Sequence, residues 1–596
     1  MRRPFDALSF SVAAGVASYI VFKRTESITS ENLLASPLVV PFLISFCFDG
    51  PLGSKSAIIP TAATIVLVYY TTILLCTLIY RISPFHPLAG YPGPLVCRIT
   101  KWRSAWAAKH GQLHLLYSDL HQRYGDVVRV GPNELSFRSV EAITPIMGMN
   151  GISKGPFWDG RFPASQARIG YPIVALRDQE EHHRRRTVWN KAFSSGAIKE
   201  YEALVKTKTE ELIGRLKEVV QQKGPEKNGS EIDVGTWMGY YTYDLMTDFV
   251  FSGGSNMLTH GDPEGLWNEI RGGLEKTMFF SHLPWLGQLF HRLPVRYFGG
   301  LRAFRKTSYE RAMKRKTEGP KAGRKDLYYY LLEEGNPDAK PSGPQVISDA
   351  SAAVLAGADT TSTTVTMIVY YLTTRPVIYE RLRKEIEDLG DEWDDTGAQV
   401  KLSYLNAVIN EVLRLWPVLL SGSQRGIKAG EEGRIVCGRY ISPGTNVTIP
   451  PYAVHRDPRN FSPCPDEFVP ERWLQDESKR NELEPGLFGP SNLSTGVGDY
   501  RHNLQAFIPF SYGPANCVGK NLALMEMRMV ICALVKSFMF REVVQAGDVG
   551  EESKFSNKHD HSNRKKGGLE NTVTDYYTMQ LGKLVVSIET ARNSKS

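Results

Sequence analysis

The chain of 596 residues is 42% hydrophobic and 22% charged, proportions ordinary for a globular protein, and its length points to one large domain with appendages. A net charge of +8 is spread along the sequence without massed Lys or Arg, which excludes a nucleic-acid-binding tract and suits a patch facing an acidic protein or anionic lipid. The seven cysteines, Cys47, Cys76, Cys97, Cys437, Cys464, Cys517 and Cys532, show no CxxC pair or regular spacing, so neither a disulfide framework nor a zinc site is indicated.

Residues 57 to 80 carry no charge and lie between Lys55 and Arg81. A helix through them is about 36 Å long, enough to cross a hydrocarbon core of roughly 30 Å. Residues 7 to 22 and 33 to 48 are shorter apolar runs, the second holding Pro37 and Pro41, so residues 1 to 82 are read as a membrane anchor of one to three transmembrane helices. The MRR start before an apolar run has the form of a signal peptide, but two further apolar runs close behind argue for retention in the membrane. Arg81, Arg98, Lys101 and Arg103 after the last run put the body on the cytosolic side, where the sequons at Asn228, Asn446, Asn460 and Asn492 escape glycosylation. Residues 83 to 94 hold four prolines and two glycines, which forms a stiff hinge.

From residue 95 the pattern alternates amphipathic helices with short strands, a mainly α chain with small β-sheets. Polar stretches at 222–231, 315–325, 333–345, 474–500 and 545–573 are expected to be surface loops. HHRRR (182–186) is a basic stretch whose plainest reading is a solvated face. Residues 350 to 372 are apolar with a single charge, Asp359, and their Ser and Thr content favours a long buried helix over a membrane span. Within it Ala356 and Gly357 leave space, and the Thr360 hydroxyl can turn back to the Ala356 carbonyl. Glu411 and Arg414 in NEVLRLWP are spaced to meet on one helix face.

The last motif is FSYGPANCVG (510–519). Gly513 and Gly519 allow tight turning and close backbone approach, Pro514 stiffens the loop, and Phe510 is placed to pack beside a flat cofactor. Apolar residues at helical spacing follow, so Cys517 sits just before a helix N-terminus, where backbone N–H groups and the dipole favour a thiolate.

This motif resembles the haem-binding signature of the cytochrome P-450 family: Phe, two residues, Gly, one, Arg, one, Cys, one, Gly. Ala515 departs from it where the family has an arginine that helps bind a haem propionate. The resemblance runs from residue 83 to about 590, through LAGYPGP (88–94), AGADTT (356–361), the ExxR of NEVLRLWP, RYISPGTNVTIPPYAVHRDP (439–458) and FVPERW (468–473). It implies the cytochrome P-450 fold over a haem-thiolate monooxygenase domain at 95–596. Cys517 is then the axial metal ligand, with Phe510, Gly513 and Gly519 around the haem. Arg472 joins Glu411 and Arg414 in a buried network serving folding and haem retention. His182 and Arg186 reach one propionate and Arg425 the other, while Asp359 and Thr360 deliver protons to bound dioxygen.

The same resemblance implies insertion of one oxygen atom from O2 into a lipophilic substrate, a terpenoid, steroid or polycyclic aromatic, in secondary metabolism or xenobiotic oxidation. No length remains for a flavin or nicotinamide domain, so electrons are expected from NADPH through a membrane-bound NADPH-cytochrome P-450 reductase. That partner would dock near Lys520 and the HHRRR face, with the domain on the cytosolic side of the endoplasmic reticulum. Specificity is expected in loops near 150–175, 250–300 and 418–424, where Phe157, Phe162, Phe279, Phe280 and Trp285 either line a cavity or belong to the core. The wording of the motifs is most similar to membrane-bound fungal members. A haem-thiolate isomerase or dehydratase, or a non-catalytic haem-binding sensor, would share Cys517.

Overall fold

The computed structural model describes residues 4–24, 55–162, 170–222, 230–292, 299–320, 325–332, 342–480, 500–543 and 568–591. The apolar run at 33–48 and the sequon residues Asn228 and Asn492 lie outside them. Eight helices position the site: α1 (Pro4–Arg24), α2 (Lys55–Ile82), α3 (Gln179–Ala192), α4 (Val234–Phe251), α5 (Leu266–His282), α6 (Gly343–Thr374), α7 (Ser403–Leu415) and α8 (Lys520–Ser537).

The expected run at 57–80 forms the body of α2, and α1 covers 7–22. By length and composition these apolar helices fit a membrane anchor. Their contacts ascend together. The Ser11 hydroxyl donates to the Ile65 carbonyl at 2.9 Å, Tyr69 donates to Ser18 at 2.7 Å, and Lys23 lies 3.5 Å from the Tyr80 ring centre. The pair therefore runs parallel. Gly15 permits the approach, since a Cβ there would meet Thr72 at 2.9 Å.

Helix α6 is buried along most of its length, as expected from residues 350 to 372. It starts earlier than the predicted loop at 333–345 allows, because Ser342 and Gln345 form a capping box. The predicted loop at 315–325 likewise begins late: the helix Gly299–Glu318 continues to Gly319, whose φ of +75° ends it. Helix α4 packs along α6, and the Thr242 hydroxyl donates to the Ala358 carbonyl at 2.9 Å. Gly357 serves that packing. A Cβ on it would sit 2.4 Å from the Met246 sulfur, so its small size admits α4, a correction to the expectation that it leaves open space.

The β structure is small. Strands β1 (Val127–Gly131), β2 (Glu134–Phe137), β3 (Arg425–Gly426) and β4 (Asn446–Thr448) form one sheet in the order β1-β2-β4-β3, with β2 and β4 parallel. A second sheet pairs Phe538–Glu542 and Ser230–Asp233 with Val585–Thr590, and a hairpin joins Thr574–Tyr576 to Thr578–Gln580.

Glu411, Arg414 and Arg472 are wholly buried together. Arg414 grips Glu411 with two bonds of 2.8 Å, and Arg472 Nε donates to the same carboxylate at 3.0 Å. Trp473 Nε1 and the Val469 N–H complete the shell at 2.9 Å. Burial alone would raise the Glu411 carboxyl, but the two guanidiniums and their hydrogen bonds outweigh it and hold the group at about 2. Its stabilising contribution is thus full above the ordinary carboxylate range and is lost as pH falls toward that value. Glu411→Ala is expected to destabilise the fold by about 3–5 kcal/mol, because two buried cations lose their partner. Urea unfolding of the two proteins at neutral pH measures it.

Candidate active site

The Cys517 loop is closed by its own backbone, with the Cys517 N–H donating to the Phe510 carbonyl at 2.9 Å. Gly513 has a φ of +71°, and a Cβ there would lie 2.0 Å from the Met147 carbonyl oxygen, so only glycine fits. Gly519 differs from expectation. It has a φ of −81°, and a Cβ on it would make ordinary contacts of 3.7 Å with Phe193 and 3.9 Å with the Cys517 sulfur. No backbone strain requires glycine there; what its small side chain leaves open is space beside the sulfur.

Helix α8 begins three residues after Cys517, as expected. The thiol nonetheless stands above its ordinary range: burial raises it, and the Gly519 N–H, Arg186 and Lys520 offset that only in part. The helix terminus alone does not make a thiolate here. Cys517 is also accessible, although the surrounding protein is dense enough to raise its thiol. Its sulfur therefore opens onto an internal hollow.

Helix α6 supplies another wall. Ala356 is exposed, and Ala352 and Thr360 partly so, at four-residue intervals on one face of the helix. The Thr360 hydroxyl donates to the Ala356 carbonyl at 2.7 Å, as the sequence suggests. Two contacts tie this wall to the sulfur. Glu526 of α8 is hydrogen-bonded to Thr361, and the Tyr577 phenol lies within electrostatic reach of Cys517 while its neighbour Thr578 binds Asp359.

Asp359 is not beside the Thr360 hydroxyl. It points into the core, 1% exposed, where Oδ2 accepts a hydrogen bond from Thr578 and Oδ1 has no partner. Burial raises its carboxyl, partly offset by Arg271 and Thr578. Sequence reasoning missed Thr578, because 219 residues separate the two and only the hairpin brings them together.

His182 is buried and its imidazole is pushed down to about 3, by burial and then by Lys154, Arg186, Arg425 and Arg185 around it. Arg185 has a counter-ion, Asp349, at 2.5 Å. Lys154 donates to the Ile173 carbonyl at 2.8 Å, and burial lowers its amine well below the ordinary range. Arg425 keeps Nε unpartnered, and its guanidinium is likewise lowered by burial. Arg186 does not end in the hollow's open space: it donates to the Asn516 carbonyl and side chain at 2.6 and 2.7 Å, directly after Ala515. Lys154 and Arg185 escaped sequence reading. The repeated basic letters at 182–186 gave no sign of which arginine is buried.

The residues fit a haem. Cys517 is exposed near a helix face of small residues, and Arg425, a buried cation with an unpartnered Nε, stands by His182 as a propionate partner would.

Of the five aromatic residues expected near a cavity, Phe157 lines one. Phe279 packs on Trp102, Phe280 on Phe290, Phe162 lies among Trp158, Tyr171 and Arg305, and Trp285 is 39% exposed.

The chain belongs to the cytochrome P450 family, whose model matches residues 90–560. It is 33% identical over 479 residues to the cytochrome P450 monooxygenase nodW of Hypoxylon pulicicidum, covering 80% of this chain and 81% of that one. It is 30% identical to cytochrome P450 monooxygenase phqL of Penicillium fellutanum over 574 residues (93% and 92%) and 30% identical to cytochrome P450 67 of Uromyces fabae over 535 residues (89% and 92%). The protein is accordingly a monooxygenase, an oxidoreductase that incorporates molecular oxygen, of the kind found in fungal secondary metabolism.

Because Arg425 is a buried cation with an open donor, Arg425→Met is expected to speed loss of haem from the loaded protein by about 10-fold or more, one charge-assisted hydrogen bond's worth. Transfer of haem to apomyoglobin gives the rate.

Proposed function

We propose that Cys517 is the axial ligand of a haem, that residues 95–596 form a monooxygenase domain acting on a lipophilic terpenoid, steroid or polycyclic aromatic, and that residues 1–82 anchor it through the hinge at 83–94. The observation that carries this reading is the exposed Cys517 near the buried Arg425, whose Nε has no partner. When bound, the haem supplies reductive activation of dioxygen and transfer of one oxygen atom to a substrate C–H bond.

The chain's own residues do the rest. Lys154, His182 and Arg425 orient the propionate edge, Arg186 braces the loop through Asn516, and Phe510 flanks the ring. The Thr360 hydroxyl, anchored on the Ala356 carbonyl, faces the hollow and holds the proton nearest to it. Asp359, raised by burial, is the reserve of protons. It serves when its carboxyl leaves the Thr578 hydroxyl and turns toward Thr360, so Thr578 sets how often the relay forms. Glu411, Arg414 and Arg472 keep the loop before Cys517 in place.

Electrons come from NADPH through a separate NADPH-cytochrome P-450 reductase, docking on the cytosolic side of the endoplasmic reticulum near Lys520 and His183, both exposed. Electron transfer is then expected to slow as ionic strength rises, since exposed charges are screened; stopped-flow reduction at increasing salt tests this.

Two variants test the core of the reading. Cys517→Ala is expected to abolish the reduced carbon-monoxide band of a thiolate-ligated haem, and retention of that band would remove Cys517 from the role. Thr360→Ala is expected to cut the fraction of NADPH electrons appearing in product by roughly 10-fold, with peroxide rising to match. Unchanged coupling would exclude Thr360 from proton delivery.

A further inference from the structure

A cluster of buried, unpartnered polar groups stands beside Tyr577, the ring that also feels Arg425 and Cys517. Arg161 is 4% exposed, and its Nη2 donates to Thr277 of α5 at 3.0 Å, but Nη1 has no partner. Its guanidinium stands among three aromatic rings, 4.9 Å from the centre of Trp158, 5.5 Å from Tyr577 and 5.9 Å from Phe157. The Tyr577 phenol does not neutralise it: burial pushes that group up to about 12, so it is uncharged near neutrality.

Beside Arg161, Phe157 and Tyr577 line a cavity together with His282 and Gln424. His282 is 6% exposed and neither ring nitrogen has a partner; burial, with Lys101 and Arg161 nearby, holds the imidazole neutral. The Gln424 side-chain oxygen is also unpartnered. Asp575 lines the same cavity, but it already accepts from the Ser421 hydroxyl and from the backbone N–H of Tyr577. Buried polar groups in folded proteins are paired, and a buried cation without a counter-ion is the least tolerated exception. Two of these exceptions, His282 and Gln424, line the cavity, where Glu134 is paired with Lys101, and Arg161 lies against its Phe157 and Tyr577 walls.

Resting on the monooxygenase reading, we propose that Arg161, with His282, is a subsite for a carboxylate, so that the natural substrate is an apolar molecule bearing one acidic end. The guanidinium Nη1 and one His282 nitrogen donate to the carboxylate, and the aromatic rings exclude water from the pair. The apolar remainder extends past Tyr577 toward the wall at Ala356 and Thr360. Oxidation then falls on a carbon remote from the acid.

Equilibrium dialysis of the purified, haem-loaded full chain in detergent micelles tests this with two pairs of probes, palmitate and methyl palmitate, abietate and methyl abietate. At least one acid is expected to bind about 10-fold or more tightly than its ester. Arg161→Gln is expected to erase that preference while ester binding stays within about 2-fold, and Arg161→Lys to keep part of it. Equal binding of acid and ester in the wild-type protein, binding of neither acid, or a preference that survives in Arg161→Gln would overturn the proposal. The wild-type comparison needs no variant, so a poorly folding Arg161→Gln leaves it decisive. Binding is read without turnover, so failure here is distinct from failure of the Cys517 assignment, which the carbon-monoxide band reports.

Discussion

One carboxylate shared by two buried arginines holds the site's floor. Glu411 pairs with both Arg414 and Arg472, and the guanidinium atoms left over collect backbone carbonyls: Arg414 takes those of His455, Pro465 and Glu467, Arg472 those of Pro463 and Cys464. The segment from His455 to Glu467, whose one regular pairing is Phe461–Ser462 with Arg501–His502, is thereby tied to α7. The tie continues to the sulfur. His455 Nε2 accepts the Ile508 N–H at 3.0 Å, so its Nδ1 carries the proton and donates to the Arg414 carbonyl at the same distance. Burial, then Arg414 and Arg456, hold that imidazole down at about 3, which fixes the neutral tautomer. Ile508 stands two residues before Phe510, whose carbonyl binds the Cys517 N–H.

What could be read from the sequence follows from how local each signal is. FSYGPANCVG and the Glu411–Arg414 spacing are short patterns whose geometry is set within one loop or one helical turn. The Thr360 back-bond to Ala356 is equally local, and the structure shows it. Gly357 and Gly519 were misjudged for a matching reason: a glycine's letter does not say which neighbour needs the room, and Met246 of α4 is not visible from α6. Lys154, Asp349 and Thr578 were missed because each meets its partner only after distant elements pack. Arg161 and His282 carry no motif at all; what marks them is the absence of a partner, and absence is a property of the folded chain.

Charge is distributed unevenly around the hollow, and that distribution organises its chemistry. The edge beside His182 collects cations, with Asp349 engaged by Arg185. The core behind α6 collects acids raised by burial: Asp359, and Glu526 at about 8. A group placed between them meets positive charge at its rim and proton-holding carboxyls behind one face. Both conditions are expensive for the empty fold, because buried cations and neutralised acids each give up solvation without a full partner. The proposed haem and proton path would make use of both.

The sulfur itself shows why the protein's fields are not sufficient. A helix N-terminus, Arg186 and Lys520 all favour the thiolate, yet burial wins and the thiol is raised. A metal ion changes the balance outright, since a coordinating thiol loses its proton to the ion's own charge. The Gly519 backbone hydrogen bond that lowers the free thiol would equally support a metal-bound sulfur. For the ligation proposed at Cys517, the ion would supply the charge that the helix dipole does not.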